Sequence, residues 1–322
     1  MRERLRGIFD PFIVMLLGVV CLATLLPARG AWVQVADVAA DAAIVLLFLL
    51  HGAKLSSEAI LAGIRNWRLH LAVFASTFVL FPLLGVGIAG IPAVPEVVAG
   101  GMLFLCLLPS TVQSSIAFTA IARGNVAAAV CSASFSNMAG IFLTPLLVAL
   151  LMRTEGTAAV SLSSVGRLVL QLLLPFAVGH LLRPWLAPWL QRCKPLVSVV
   201  DRGSILLVVY AAFGAAVVAG LWERMPPSRL ALVAALCAGL LCIVLSITWA
   251  AGRWLGFPRG DRIALQFCGS KKSLVSGVPI AGVLFPPSVA GQLLLPLMLF
   301  HQMQLIACAL LARRYASDDT DV

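Results

Sequence analysis

The side chains with the most chemistry to offer lie inside apolar runs. In IALQFCGSKKSLVSGVPIAG, which starts at Ile263, Lys271 and Lys272 sit beside Gly269, Ser270 and Ser273, with Gln266 one helical turn earlier. In MLFLCLLPSTVQSSIAFTAIA, which starts at Met102, Pro109 is followed at once by Ser110, Thr111, Gln113, Ser114 and Ser115, and then by Thr119. An ionisable pair at membrane depth is expensive and by default marks a working site. No carboxylate is placed to neutralise it. Asp37 and Asp41 open one apolar run, Asp201 opens another, and the remaining acids fall at run ends, in loops or in the tail. Asp41 and Asp201 read as caps, or as groups facing partner helices near the surface. A serine beside a lysine can serve a hydrolase, but no nucleophile elbow or oxyanion motif accompanies Ser270 or Ser273. His51, His70, His180 and His301 show no metal spacing, and the eight cysteines form no CxxC or CxxH pair. Neither an enzyme, a metal centre nor a cofactor is expected.

The elements that carry these residues follow from composition. Across 322 residues, 61% are hydrophobic and 11% charged, and mean hydropathy is +1.04. That composition belongs to an all-α polytopic membrane protein, not to a soluble enzyme or a secreted disulfide scaffold. Apolar windows place ten transmembrane helices at 9–27, 36–52, 68–90, 96–122, 125–151, 165–183, 201–221, 229–252, 260–285 and 288–312. The basic residues before the first of these faintly resemble a signal peptide, but the later spans favour a permanent helix. Between the second and third spans, SSEAILAGIRNW has an apolar face and suggests a short helix lying in the interface.

With the N-terminus inside, only Arg29, Arg153, Arg167, Arg224 and Arg229 of the 23 Lys and Arg fall outside, and 16 fall inside. The two left over are Lys271 and Lys272. Both termini are therefore expected in the cytoplasm of a multi-pass plasma-membrane protein, the inner membrane if the source is bacterial. The net charge of +10 is then an orientation signal, with lipid and not nucleic acid as the partner.

Pro109 and Gly269 interrupt two spans that lie five apart, at matching depth. Non-helical backbone there is tolerated only where protein or a water-filled cavity surrounds it. Two broken crossing helices, five spans apart, point to inverted five-helix repeats. The first is 1–152, with its broken helix at 96–122. An external linker, 153–164, leads to the second, 165–313, with its broken helix at 260–285, and 314–322 forms a cytoplasmic tail. Thr77, Thr119, Ser132, Ser136 and Asn137 are candidates for a supporting shell, the last three sharing one face of the fifth span.

PSTVQSSIAFTAIARGNVAAAVCSAS resembles the fourth and fifth helices of the bile acid:sodium symporter family, and CGSKKSLVSGVPIAGVLF is similar to its divergent, symporter-like branch. The resemblance implies a panel of spans 1, 2, 6 and 7 and a core of spans 3–5 and 8–10. It also implies organic anions bound between panel and core, and sodium at the crossing. Ser114 keeps the family's fourth-helix serine, but the following asparagine is Ser115, and two fifth-helix hydroxyl positions are Ala129 and Ala133. The ninth-helix glutamate is Gln266, the glutamine after it Ser270, and a third-helix glutamine Thr77.

A sodium ion so placed has lost its carboxylate and meets like charge nearby, at about 4 kcal/mol for a pair 4 Å apart in an effective dielectric of 20. A lysine ammonium is expected to fill the cation position, donating to carbonyls and hydroxyls freed by the breaks. Lys272 is the favoured residue, either there or on the solute anion, with Lys271 reaching water or a backbone carbonyl. The expected function is secondary transport of a small organic anion by alternating access, not strictly sodium-coupled, with a proton or sodium as candidate coupling ion. The alternatives are a sodium-coupled bile-acid-type symporter and a non-transporting membrane regulator that keeps the fold.

Overall fold

The computed structural model describes residues 11–54, 66–152 and 174–317, and every described element is helical. In chain order these are α1 (Pro11–Leu25), α2 (Ala31–Lys54), α3 (Trp67–Ala89), α4 (Glu96–Leu107), α5 (Gln113–Ile121), α6 (Val126–Leu151) and α7 (174–181). They continue with α8 (Arg183–Arg192), α9 (Lys194–Val218), α10 (Leu221–Arg224), α11 (Pro227–Trp254), α12 (Arg259–Gly269), α13 (Leu274–Leu284) and α14 (Pro287–Ser317). Six of them, α2, α3, α6, α9, α11 and α14, are long and apolar enough to cross a membrane. The fourth and ninth expected spans each appear as two short helices, α4 with α5 and α12 with α13. The interfacial segment expected before Trp67 lies almost wholly outside the described residues, as do the linker, the tail beyond Ser317 and the start of the sixth span.

Two boundaries differ from the sequence reading. The seventh span begins at Lys194, because Pro195 is favourable in a first helical turn; Asp201 therefore lies inside α9 and pairs with Lys54. The loop after the sixth span contains α8, which hydropathy alone does not register because arginines end it and prolines interrupt it.

The chain folds into two compact units, each assembled from separated stretches. Unit 1 takes the described residues of 1–55, 154–226 and 278–294. Its helices approach at glycines. A Cβ on Gly52 would lie 2.0 Å from the Phe176 carbonyl oxygen, and one on Gly179 would lie 1.9 Å from that of Leu49, so α2 and α7 touch backbone to backbone. Segment 278–294, which the family resemblance places with the core, groups here instead. The physical reason is Gly291, where a Cβ would lie 2.4 Å from the Ala212 carbonyl oxygen and hold the start of α14 off α9.

Unit 2 takes the described residues of 56–153, 227–277 and 295–322. Leu69, Val73, Ala129, Ala133, Ala264, Leu265 and Cys268 form a buried cluster that joins α3, α6 and α12. At one end of it the buried Asp261 accepts from Asn66 Nδ2 (2.9 Å) and Asn125 Nδ2 (2.7 Å), while Asn125 also caps α6 through Ala128 N. These bonds fix the start of α12 against the turns that open α3 and α6. The breaks in the two interrupted helices both fall inside this unit.

Candidate functional site

Each break leaves carbonyls without helical donors, and the accounting of those carbonyls defines the site. Pro109 has no N–H for Leu105 and holds Leu108 extended, at φ −79° and ψ 157°. Beyond Leu105, every carbonyl at the end of α4 finds a partner from elsewhere. Lys272 Nζ donates to Cys106 O (2.9 Å) and Leu108 O (2.6 Å). Thr144 Oγ1 donates to Leu107 O (2.8 Å), and Ser273 N to Pro109 O (2.9 Å).

The end of α12 mirrors it with neutral donors. Ser270 Oγ donates to Gln266 O (2.5 Å), Ser115 Oγ to Phe267 O (3.0 Å), Ser110 Oγ to Cys268 O (2.5 Å) and Ser76 Oγ to Gly269 O (2.7 Å). Thus the hydroxyls of one break cap the other break, and the lysine of the second caps the first. A Cβ on Gly269 would come within 3.3 Å of Ser76 Oγ, so a larger residue would push α3 off this contact.

Lys272 has a third carbonyl. Across Ser76–Leu80, α3 loosens into a π turn, with Phe81 N bonding Ser76 O. The Thr77 carbonyl thereby loses its α-helical donor, Phe81 N. Its next candidate is residue 82, which is proline and has no N–H. Lys272 Nζ supplies the missing donor at 2.8 Å and lies 4.1 Å above the Phe81 ring. Three charge-assisted bonds, each worth about 1.5–3 kcal/mol, offset the several kcal/mol of removing an ammonium from water. This geometry uses the main chain of Thr77; its hydroxyl bonds Val73 O within its own helix.

Lys271 is equally buried, at 0% exposure, yet far less well held. Its Nζ lies 3.4 Å from Ser114 Oγ, 4.5 Å over the Phe118 ring and 5.7 Å over Phe267. The sequence reading sent it to water or a backbone carbonyl. Instead, it stands in the non-helical link between α12 and α13, and its Nζ meets Ser114 and Phe118 on one face of α5.

The other candidates divide. Thr111 Oγ1 bonds Ser114 Oγ (2.9 Å) and Ser115 Oγ (3.0 Å), which joins it to the cluster. Ser136 Oγ accepts from Ser110 N (3.2 Å). Asn137 Oδ1 accepts from Ser276 Oγ (2.6 Å), and Ser273 Oγ caps α13 by accepting from Ser276 N (3.1 Å). Thr119 bonds back to Ser115 O, and Ser132 lies 2.7 Å from His70 Nδ1, away from the lysines. Gln113 is exposed. Gln266, where the family's carboxylate would stand, accepts from Tyr315 Oη (2.5 Å) and donates to Leu245 O (3.4 Å), so its amide is directed away from Lys272.

Ser76, Thr144 and Gln304 escaped the sequence reading, and the last of them holds the lysine itself. Gln304 is fully buried on α14 and grips the main chain of Lys272 at both ends. Its Oε1 accepts from Lys272 N (2.8 Å) and its Nε2 donates to Lys272 O (2.8 Å). The same Nε2 donates to His301 Nδ1 (2.8 Å), so that nitrogen accepts and the ring proton sits on Nε2. Three glutamines, Gln292, Gln302 and Gln304, interrupt the apolar run of α14, and that was the available signal. Among the described residues, no group of three or more His, Cys, Asp or Glu is arranged to hold a metal.

A family model described as the SBF-like CPA transporter family matches residues 10–317. The chain is 53% identical over 316 residues to the uncharacterized protein PA2026 of Pseudomonas aeruginosa, covering 98% of this chain and 95% of that one. It is 53% identical over 314 residues to a protein of Escherichia coli strain K12 named "Putative symporter YfeH", covering 97% and 94%. Sodium/bile acid cotransporter 7 of Rattus norvegicus is 25% identical over 270 residues, covering 82% and 79%. These relatives and the apolar helices together make the chain a multi-pass membrane protein of a transporter kind, not an enzyme.

Proposed function

The chain belongs to the SBF-like CPA transporter family, and from that premise we propose that it carries a small organic anion across the membrane by alternating access, without strict need for sodium. The ten spans form two inverted repeats, 1–152 and 165–313, with both termini in the cytoplasm. The observation that carries the reading is the seat of Lys272. Its ammonium takes three main-chain carbonyls at 2.6–2.9 Å, an oxygen set of the kind a bare cation would seek. A sodium ion brought to this crossing would meet that fixed charge and, at the ninth-helix position of the family's carboxylate, an amide already bonded to Tyr315.

Lys271 is the solute contact. Lys272 has spent its three donors, while Lys271 keeps one long bond and two ring faces, so an anion entering beside Ser114 meets donors to spare. The N-termini of α5 and α13, both at the breaks, add the positive ends of two helices to the same region.

Relatives named as sodium/bile acid cotransporters support one competing reading, coupling to sodium. Counterflow in proteoliposomes against a panel of carboxylates, sulfates and bile salts, in sodium and in choline buffers over a range of pH, separates the two. Saturable exchange in choline is the expected result. Strict sodium dependence at every pH would return the site to the bile-acid pattern, and folded protein without flux for any anion would leave a regulator that keeps the fold.

A further inference from the structure

Unit 1 contains a ten-residue helix too short to cross anything, with one apolar face packed and another left open. α8 reads RPWLAPWLQR; Pro184 opens it, and Cys193 separates it from α9, whose first turn holds Pro195. At 1.5 Å per residue it is about 15 Å long, half the hydrocarbon thickness. Leu186 and Leu190, four residues apart, pack onto Leu50, Ala53 and Val197. That face closes unit 1 at the end of α2.

The adjoining face, about 100° round the helix, remains open. Trp185 and Trp189, also four residues apart, are 73% and 47% exposed. Two indoles at helical spacing on an open face suit neither water nor the hydrocarbon interior. Indole is apolar with one N–H, and it settles where chains meet headgroups. Arg192 and Lys194 follow directly, both exposed, and no Asp or Glu occurs between Leu174 and Val200. The open side therefore presents apolar bulk beside uncompensated positive charge, the complement of an anionic lipid surface.

We propose that α8 lies in the headgroup layer, with Trp185 and Trp189 at the chain boundary and Arg192 and Lys194 on the phosphates of anionic phospholipid, tying unit 1 to the membrane surface. The proposal does not depend on which solute is carried.

The test uses the full chain in vesicles of phosphatidylcholine alone and of phosphatidylcholine with phosphatidylglycerol at about three to one. Trp185→Phe and Trp189→Phe are made together in the otherwise native protein, and the emission lost relative to native isolates the two indoles. That component should be quenched at least twofold more by lipid brominated near the headgroup end of the chain than by lipid brominated at its tip. It should also be poorly reached by acrylamide in water. Thermal midpoints should be higher with phosphatidylglycerol, and Arg192→Gln with Lys194→Gln should remove at least half of that gain. Full quenching by acrylamide, stronger quenching from the chain tip, or equal midpoints in the two lipid mixtures would each overturn the proposal. If the tryptophan variant folds poorly, the lipid-dependent midpoints of the charge variant alone decide it.

Discussion

Lys271 and Lys272 are neighbours in sequence, both wholly buried, and chemically unequal. Lys272→Met would leave the carbonyls of Thr77, Cys106 and Leu108 without their donor, and an unsatisfied buried acceptor costs about 1–3 kcal/mol. A loss of about 3–5 kcal/mol is expected in denaturant titrations of the detergent-solubilised protein, in line with breaking other buried ionic contacts. Lys271→Met gives up one bond at 3.4 Å and keeps an apolar stem against Phe118 and Phe267. Its stability should change by about 1 kcal/mol or less, while anion counterflow is lost. Equal destabilisation by the two changes, or normal counterflow in Lys271→Met, would remove the division of labour. Gln304 adds a third comparison. Gln304→Leu strands both the N–H and the carbonyl of Lys272, whereas Gln304→Glu keeps the acceptor for the N–H. The leucine variant should lose about 2–4 kcal/mol and the glutamate variant less, with flux following the same order.

At the scale of elements, the seat of Lys272 depends on how α3 is wound. The π turn at Ser76–Leu80 and the proline at 82 together free the Thr77 carbonyl. Pro82→Ala would restore an N–H able to reach that carbonyl and compete with the lysine. Helix content by circular dichroism should stay the same, while counterflow falls several-fold. Unchanged flux would show that the third carbonyl is dispensable. Pro109 and Gly269 made both breaks legible in the sequence, because a missing donor and a missing side chain are written in the residue types. The Lys pair was legible for the same reason. Thr77 was picked out because it stands where the resembled family has a glutamine, yet its carbonyl is what binds, and no residue type reveals which carbonyl a π turn will free. Gln304 is one of three glutamines in a 31-residue helix and shows its role only once α14 is laid against the break. α8 was missed because hydropathy windows of about 19 residues average a ten-residue helix with its basic flanks. The count of ten spans was argued from windows; the helices themselves distinguish six long ones from interrupted and shorter pieces, since each broken span divides its apolar length in two.

For the whole molecule, charge bears on orientation and tryptophan on where the spans end. All seven tryptophans are exposed. Under the topology with both termini inside, Trp32 and Trp222 fall at the outer surface and Trp67, Trp185, Trp189, Trp249 and Trp254 at the cytoplasmic one. That is the distribution expected of two interfacial belts, with neither belt displaced into a span. Arg253 lies 4.0 Å over the Trp249 ring, placing a cation and an indole together at the end of α11 that carries the inside charge. The basic residues agree, with 16 of 23 on the same side as Trp254 and five on the other. An odd number of spans in each repeat requires the second set of five to run opposite to the first. On the proposed repeat, Arg153, after the fifth span, and Arg314, after the tenth, should lie on opposite sides. Reporter fusions at these two positions should give opposite signals, phosphatase activity at Arg153 and fluorescence at Arg314. If both report from one side, the number of crossings between them is even, and the inverted repeat, with its two breaks meeting at matched depth, cannot be how this chain is built.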